Sequence, residues 1–471
     1  MLALVRRESR IIDKRDQVLD KVTLGRRQFI KAGAAVGLGL AASRGMTARS
    51  YARVAGANER MNLAVIGVGG RGRRVLDVLA GRERTRHGEY AERVTGTHIA
   101  ALCDVNMRRA GDAFDSYPEA VKHVDYRRML DKMEGDIDAV VVSTSDHSHA
   151  PASVTAMRMG KPVFCEKPGA HSVREARVMA EVAKEQGVAT QLCTQANATE
   201  NIRRVVELIR AGAIGEVSAF HIWERTVRES MEIHTESAPE PDSLHWDLWL
   251  GPAPWRPYHP DYIPRKEPGW ELMWDFAGGE LTNMGCHFFN WGFWALDLRH
   301  PSTVEAEGPE PPHPRIVPPW LHVRYAFERG GGKAPVTLTW THGNEPRAVF
   351  AEHELPDWAW GVFVGDKGML LVSYSEHNFW PEDEFEGYEP PEPSIPPSVG
   401  HYMEWIKACR GEGEALCHFG YSMPITEAVL LGNVAYRSGR KLEWNAGQFT
   451  IDNAHEAEGF LQRGYRPGWT L

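Results

Sequence analysis

The six residues Gly67-Val68-Gly69-Gly70-Arg71-Gly72 stand between an apolar run, Asn62 to Ile66, and a helical stretch reaching Leu79. Glycines at that spacing, behind a strand and opening a helix, let a backbone approach a pyrophosphate. Gly67 permits the tight turn, Gly69 the close approach to the phosphates, and Gly72 the packing of the helix on its sheet. The helix N-terminus, with Gly70 and Arg71 beside it, turns its amides toward the anion. A second apolar run, "THIAALCDVN", ends in Asp104, whose carboxylate is placed to bond ribose hydroxyls and to disfavour a 2′-phosphate. NAD is the expected cofactor, with NADP left open by Arg108 and Arg109 close behind. Asp104 lies 32 residues past Gly72 rather than the usual ~20, so "GRERTRHGEYAERVTG" reads as an inserted loop.

Oxidising a secondary alcohol takes a hydride acceptor and a base for the hydroxyl proton. Lys167, at the end of "KPVFCEKP", can orient that hydroxyl or take its proton. His287, in "MGCH", carries an imidazole of the kind that titrates near neutrality and can pass the proton on. A strand-end lysine is also commonly a plain surface charge, and a histidine ahead of aromatics a core residue; the residues alone leave both readings open. His147 and His149 are spaced like a metal pair, but no further ligand stands at a recognisable spacing. No metal is expected.

The elements that must position these groups follow from the apolar periodicity. "DAVVVST" and "KPVFCEKP" read as further short strands separated by the helix "APASVTAMRMG". Strands alternating with helices give a doubly wound parallel sheet of the Rossmann kind, with ligands at the carboxyl ends of the strands. Ser145 to His149 and Glu166 to Pro168 occupy two such ends. Farther on, "TLTWTHG" and "GVFVGDKGMLLVSY" read as strands, with a turn over residues 365–368, and "HYMEWIKACRG" and "MPITEAVLLGNVAYRSG" as helices. The proline-rich stretches 309–319 and 381–400 cannot join a central strand and read as surface loops or arms around a neighbouring subunit.

Composition narrows the class. A chain of 471 residues, 42% hydrophobic and with a net charge of −9, has room for two or three domains and no basic surface for nucleic acid. Its longest apolar run, Ala32 to Ala42, is too short to span a bilayer. The cysteines at 103, 165, 193, 286, 409 and 417 show neither a zinc pattern nor a disulfide framework. The 16 tryptophans suit a pocket that stacks on sugar faces, though core packing uses them more commonly. Ahead of residue 58, Gly25-Arg26-Arg27-Gln28-Phe29-Ile30-Lys31, the weakly apolar run and Ala55-Gly56-Ala57 follow the order of an export signal, and the arginine pair resembles the twin-arginine motif.

"STSDHSHA", "GKPVFCEKP" and "GAIGEV" together resemble the glucose–fructose oxidoreductase / inositol dehydrogenase family, Gfo/Idh/MocA, from about Asn62 onward. "WDLWLGPAPWRPYHPDY", "GGELTNMGCHFFNWGFWAL" and "TEAVLLGNVAYRSGRKLEW" resemble its exported branch. The resemblance implies a C-terminal α/β domain whose open, mostly antiparallel sheet covers the cofactor and makes oligomer contacts. It puts Lys167 at the substrate hydroxyl and His287 as acid/base. Thr144 and His149 then line the nicotinamide side, Glu166 orients the site, and Asn283, Tyr258 and Trp270 join the substrate pocket. Many relatives carry Asp at the positions of Asn283 and Asn290, so two carboxylates are missing and the usual proton relay is altered.

The expected protein thus has a twin-arginine leader and linker (1–57), an NAD(P)-binding domain (58–195) and a substrate and oligomerisation domain (196–471). Its expected activity is that of an exported NAD(P)-dependent oxidoreductase acting on a sugar, cyclitol or derivative, with no stable membrane span. A homo-oligomer, dimer or tetramer, and the twin-arginine export machinery are its expected partners, with no nucleic acid among them. Two alternatives stay open: an NAD-dependent glycosidase that oxidises its sugar transiently, and a non-catalytic sugar-binding protein on the same fold.

Overall fold

The computed structural model describes residues 60–471, except 83–84, 88–89, 228–233, 235, 264–268 and 345–348. The expected leader therefore lies outside the described residues. Strand β1 (Met61–Ile66) opens the chain's first sheet and leads through the glycine turn into helix α1 (Arg71–Leu79). The segment expected as an inserted loop instead holds a two-stranded antiparallel pair, β2 (Thr85–His87) and β3 (Tyr90–Glu92). Then follow β4 (Thr97–Cys103), α2 (Met107–Ser116), β5 (Val121–His123), α3 (Tyr126–Met133), β6 (Ala139–Val142), α4 (His149–Arg158), β7 (Val163–Cys165), α5 (Val173–Gln186) and β8 (Thr190–Leu192). The six strands pair in parallel in the order β5-β4-β1-β6-β7-β8.

Both faces of this sheet are covered, which is why its strands carry apolar runs without polar alternation. Leu63 and Val65 of β1 join one core with Leu102, Val141 and Phe164. Ala64 and Ile66 point the other way, into a core with Val140, Val142 and Cys165. Side-chain caps start several helices: Asn106 accepts from the Arg109 amide, Asp125 from the Arg127 amide, and Ser172 with Glu175 forms a capping box. Helix α1 starts at Gly70 without one.

Helix α6 (Glu200–Arg210) connects to a second sheet. It is assembled from β9 (Val217–Glu224), β10 (Thr303–Glu307), β11 (Leu321–Phe327), β12 (Val336–His342), β13 (Gly361–Gly365), β14 (Gly368–Val372), β15 (His377–Trp380), β16 (Leu442–Asn445) and β17 (Thr450–Ile451). Their order is β15-β14-β13-β9-β12-β11-β10-β16-β17, antiparallel apart from the β9–β12 pair. Between β9 and β10 run the short helix α7 (Trp246–Leu250) and the long helix α8 (Gly279–Leu296). The short α9 (Val349–Glu352) precedes β13, and α10 (His401–Cys409) and α11 (Phe419–Ser438) precede β16. Helix α11 packs on α5, α8 and β10, and a single core runs from one face of the parallel sheet to the second sheet.

The expected border near residue 195 is crossed twice by later chain. Helix α10 closes the other face of the parallel sheet with Tyr402, Trp405 and Ile406, and the Tyr402 ring stacks on Phe164 at 5.2 Å. The tail beyond residue 460 is pinned along the first domain. Arg463 Nε meets Glu175 Oε1 at 2.7 Å and its Nη2 donates to the His147 carbonyl. The Tyr465 hydroxyl donates to the same Glu175 oxygen at 2.6 Å, and Arg127 donates to the Gly468 carbonyl and lies over the Trp469 ring. Glu175 is buried, so losing its cation strands a charge away from water. Arg463→Ala should therefore destabilise the chain by about 3–5 kcal/mol, read as a lower urea midpoint with an unchanged slope.

Candidate active site

The carboxyl ends of β1, β4 and β6 open into a cleft shaped for an extended ligand. It is lined by the glycine turn, Asp104, Asn106, Arg109, Asp125, Tyr126 and residues 143–145. Gly67 has φ +80°, and a Cβ there would lie 2.4 Å from the Ser143 carbonyl oxygen. At Gly72 a Cβ would come within 2.1 Å of the Gly67 carbonyl oxygen, so only glycine lets α1 start here. At Gly69 a Cβ would meet the Arg109 Cβ at 3.0 Å, so its smallness also lets α2 approach the turn. Asp104 is held by its own backbone. Its Oδ2 accepts from Val68 N (2.9 Å) and Gly69 N (3.3 Å), and its Oδ1 from Asn106 N (2.8 Å). Burial raises its pKa against these amides and the Arg109 charge. Each carboxylate oxygen accepts twice, so Oδ1 keeps a lone pair for a ribose hydroxyl.

The outer wall of the cleft comes from elsewhere in the chain. Leu248, Trp249, Ile263, Trp270 and Glu271 reach it from the segment before α8, and Trp469 from the tail. Tyr258 does not take part. It is 8% exposed, its ring stands edge-on to Trp246 at 5.3 Å, and it belongs to a satellite core with Trp246, Tyr262 and Phe276. Its expected place in the substrate pocket is corrected: the apolar neighbours of this segment draw the ring inward.

A cavity of about 580 Å³ adjoins the cleft and shares Arg71, Ser143, Thr144, Trp270 and Glu271 with it. Asp146, His149, Glu166, Lys167, Gln195, Thr199, Asn283, His287 and Tyr374 supply its other polar and aromatic lining, with Ala196, Ala277 and Gly279 between them. Lys167, two residues past β7, sends its ammonium across to α8. It donates to the Asn283 carbonyl at 2.7 Å and to Asn283 Oδ1. His287 stands one turn farther along α8, edge-on to the Tyr374 ring at 6.2 Å. Arg71 Nε pairs with Glu166 Oε1 at 2.7 Å, joining the glycine turn to the strand end that carries Lys167. Burial opposes the charge on Glu166, and Arg71 outweighs it, holding the carboxyl below its ordinary range.

His149 lines the cavity, but its nitrogens face the carbonyls of Pro168 (2.6 Å) and Thr144 (2.9 Å). Its ring thus clamps two strand ends together, and burial holds its pKa down. His147 is turned away from it: Nε2 meets the Trp249 carbonyl at 2.9 Å, and burial pushes its pKa down to about 3. The pair does not converge on a metal. His234, His259 and Asp261 are the described residues whose ligand atoms do gather. Yet the two imidazoles stack at 3.6 Å and 13°, so their in-plane lone pairs run side by side rather than toward one ion.

Asn283 and Asn290 have separate fates. Asn283 faces the cavity, and its amide nitrogen donates to both oxygens of Glu280 at 3.2 and 3.4 Å. Asn290 is buried among side chains, accepting from Asn197 (3.1 Å) and Tyr421 (2.5 Å), and does not line the cavity. The expectation that both positions alter one proton route is corrected, because Asn290 is spent on a core network. Glu280 was open to sequence reading through its spacing, since i and i+3 share a helix face. Tyr374, from the segment after β14, had no local signature.

The chain's own geometry fits a dinucleotide. The turn admits no side chain at Gly67 or Gly72, α1 begins without a side-chain cap, and the buried Ser143 hydroxyl has no protein partner. Fold and site together define a Rossmann-type protein shaped for a dinucleotide, with a second, mostly antiparallel sheet. The chain belongs to the Gfo/Idh/MocA family: residues 61–193 match the model described as "Oxidoreductase family, NAD-binding Rossmann fold", and 207–346 its "C-terminal alpha/beta domain". It is 29% identical over 166 residues to inositol 2-dehydrogenase of Salmonella typhimurium, covering 34% of this chain and 49% of that one. It is 30% identical over 217 residues to a glycosyl hydrolase family 109 protein of Solibacter usitatus, covering 42% and 45%. The chain thus spans about half the length of the curated relatives it matches. Among solved structures, the WlbA dehydrogenase of Bordetella pertussis, in complex with NADH and UDP-GlcNAcA, superposes with a TM-score of 0.56 at 16% identity, covering 82% of this chain and 99% of that one. The half-buried carboxylate of Asp104 lines the cleft, where it would meet a 2′-phosphate with like charge: NAD should bind at least tenfold tighter than NADP, about 1.4 kcal/mol, by calorimetric titration of each.

Proposed function

We propose that the chain is an exported oxidoreductase that moves a hydride between a firmly held NAD(H) and a secondary hydroxyl of an uncharged sugar, cyclitol or derivative. The observation that carries this reading is the Lys167 ammonium in a polar cavity that shares its wall with the dinucleotide cleft. When bound, the oxidised nicotinamide supplies the hydride acceptor. Lys167 orients the hydroxyl, Asn283 holds the ammonium, and His287 on the same helix face takes the proton onward. Trp270 offers a flat apolar face to a sugar ring. The carboxylates of the cavity, Asp146, Glu166 and Glu271, outnumber its cations Arg71 and Lys167, which suits a neutral polyol better than a phosphate or uronate.

A second reading, a glycosidase that oxidises its sugar transiently, is supported by the similarity to the Solibacter family 109 protein. A polyol and glycoside panel followed at 340 nm separates the two. Net cofactor reduction supports the dehydrogenase, aglycone release without net reduction the glycosidase, and neither a sugar-binding protein. Lys167→Met should lower kcat by about 10²-fold or more while dinucleotide affinity stays within twofold.

Export is proposed from Arg26 and Arg27 with the apolar run behind them. The twin-arginine route suits a protein that must fold around its cofactor first, because ligand binding adds to the stability of the folded form. Replacing both arginines by lysine should leave the precursor in the cytoplasm, folded and carrying its dinucleotide, as read by fractionation and by absorbance of the released nucleotide.

A further inference from the structure

Glu280 is 3% exposed, in the first turn of α8, where the helix end favours a negative charge. It does not line the cavity. Its carboxylate is joined to the cavity by one side chain: Asn283 Nδ2 donates to both Glu280 oxygens, and Asn283 Oδ1 accepts from Lys167 Nζ. An amide has one accepting and one donating end. With Glu280 accepting at the NH2 end, the oxygen must face Lys167, and the amide dipole lies head to tail between a carboxylate and an ammonium. The titratable and charged groups that share the cavity with the ammonium are Glu166, paired with Arg71, His149, clamped by two carbonyls, and Asp146, Glu271 and His287; the Cys286 thiol lies near it on α8.

We propose that Glu280 is the positioning carboxylate of the Lys167 centre, acting through Asn283. It fixes which end of the Asn283 amide meets the ammonium and supplies the negative charge that residue 283 itself lacks. The inference rests on the reading of Lys167 as the group that meets the substrate hydroxyl, so its test carries a readout independent of turnover. Sequence proximity alone would not separate this from a packing role. The hydrogen-bonded order carboxylate, amide, ammonium does, because a packing role requires no charge at position 280.

The test labels Lys167 in the full chain with an amine-acylating reagent across a pH series, with the modified peptide quantified by mass spectrometry. Glu280→Gln keeps the shape and one acceptor oxygen but removes the charge, so the neutral amine becomes easier to form. The labelling midpoint should fall by at least 0.5 pH unit. Glu280→Gln with Asn283→Asp returns a carboxylate, now in direct contact with the ammonium, and should restore the midpoint to the wild-type value or above. Where wild-type turnover is measurable, the kcat profile should move in the same sense, with KM changed less than twofold. If Glu280→Gln does not fold by circular dichroism, Glu280→Asp carries the test, since it keeps the charge but draws the carboxylate back from the Asn283 amide and should lower the midpoint in the same sense. Unchanged midpoints, or a fall in thermal stability with no change in the profile, overturn the proposal. A wild-type protein that reduces no cofactor overturns the functional reading instead, and leaves the labelling result to decide Glu280.

Discussion

One ion pair joins the two halves of the site. Arg71 reaches out of the first turn of α1, Glu166 leaves the end of β7, and their 2.7 Å contact borders both the cleft and the cavity. The carboxylate is almost wholly withdrawn from water, an expense that only a well-placed cation offsets. Because the folded pKa of Glu166 is depressed, the pair stabilises the fold above the ordinary carboxylate range. That contribution fades as pH falls through the lower folded value. Through this contact the angle of the glycine turn and the position of Lys167 become one variable. The strand ends around it have little freedom left, since His149 bridges residues 144 and 168.

Charge inside the site is met in three different ways. Asp104 is satisfied by backbone amides, Glu166 by a guanidinium and Glu280 in part by an amide nitrogen. Asp104 and Glu280 are held without a second formal charge at the contact, whereas the Arg71 guanidinium that satisfies Glu166 itself borders the cleft and the cavity. The cavity surface presents polar groups able to bond hydroxyls, with the Glu280 carboxylate set behind it. Aromatic faces from Trp270 and Tyr374 complete it.

Much of the first domain was legible because its signals are local. A strand, a glycine turn and a helix are consecutive in the chain, and the steric need for glycine at 67 and 72 is met within a few residues. The family resemblance supplied the second sheet, and it pointed to Lys167 and His287, which the structure places in the wall of one cavity. What escaped depends on distant partners. The helical period of residues 401–409 shows that a helix forms, but not that it covers Phe164. Tyr258 sits among aromatics in a loop, and nothing near it in sequence tells whether its ring faces a ligand or Trp246. Asn283 and Asn290 look like a matched pair of substitutions until the α8 helix is packed. Seven residues are close to two turns, yet one faces Lys167 and the other Asn197 and Tyr421.

The wall that Trp469 adds to the dinucleotide cleft has a consequence in time. The floor of the cleft is laid down with residues 66–72, among the first of the described chain to leave a ribosome, whereas its last wall is among the last. At roughly 5–20 residues per second, tens of seconds of synthesis separate the two. During that interval the phosphate turn exists as an open shelf, able to meet a nucleotide but not to enclose it. Enclosure of the cleft on that side thus waits for the segment that carries Trp469. A nascent chain halted before it would offer the shelf without that wall.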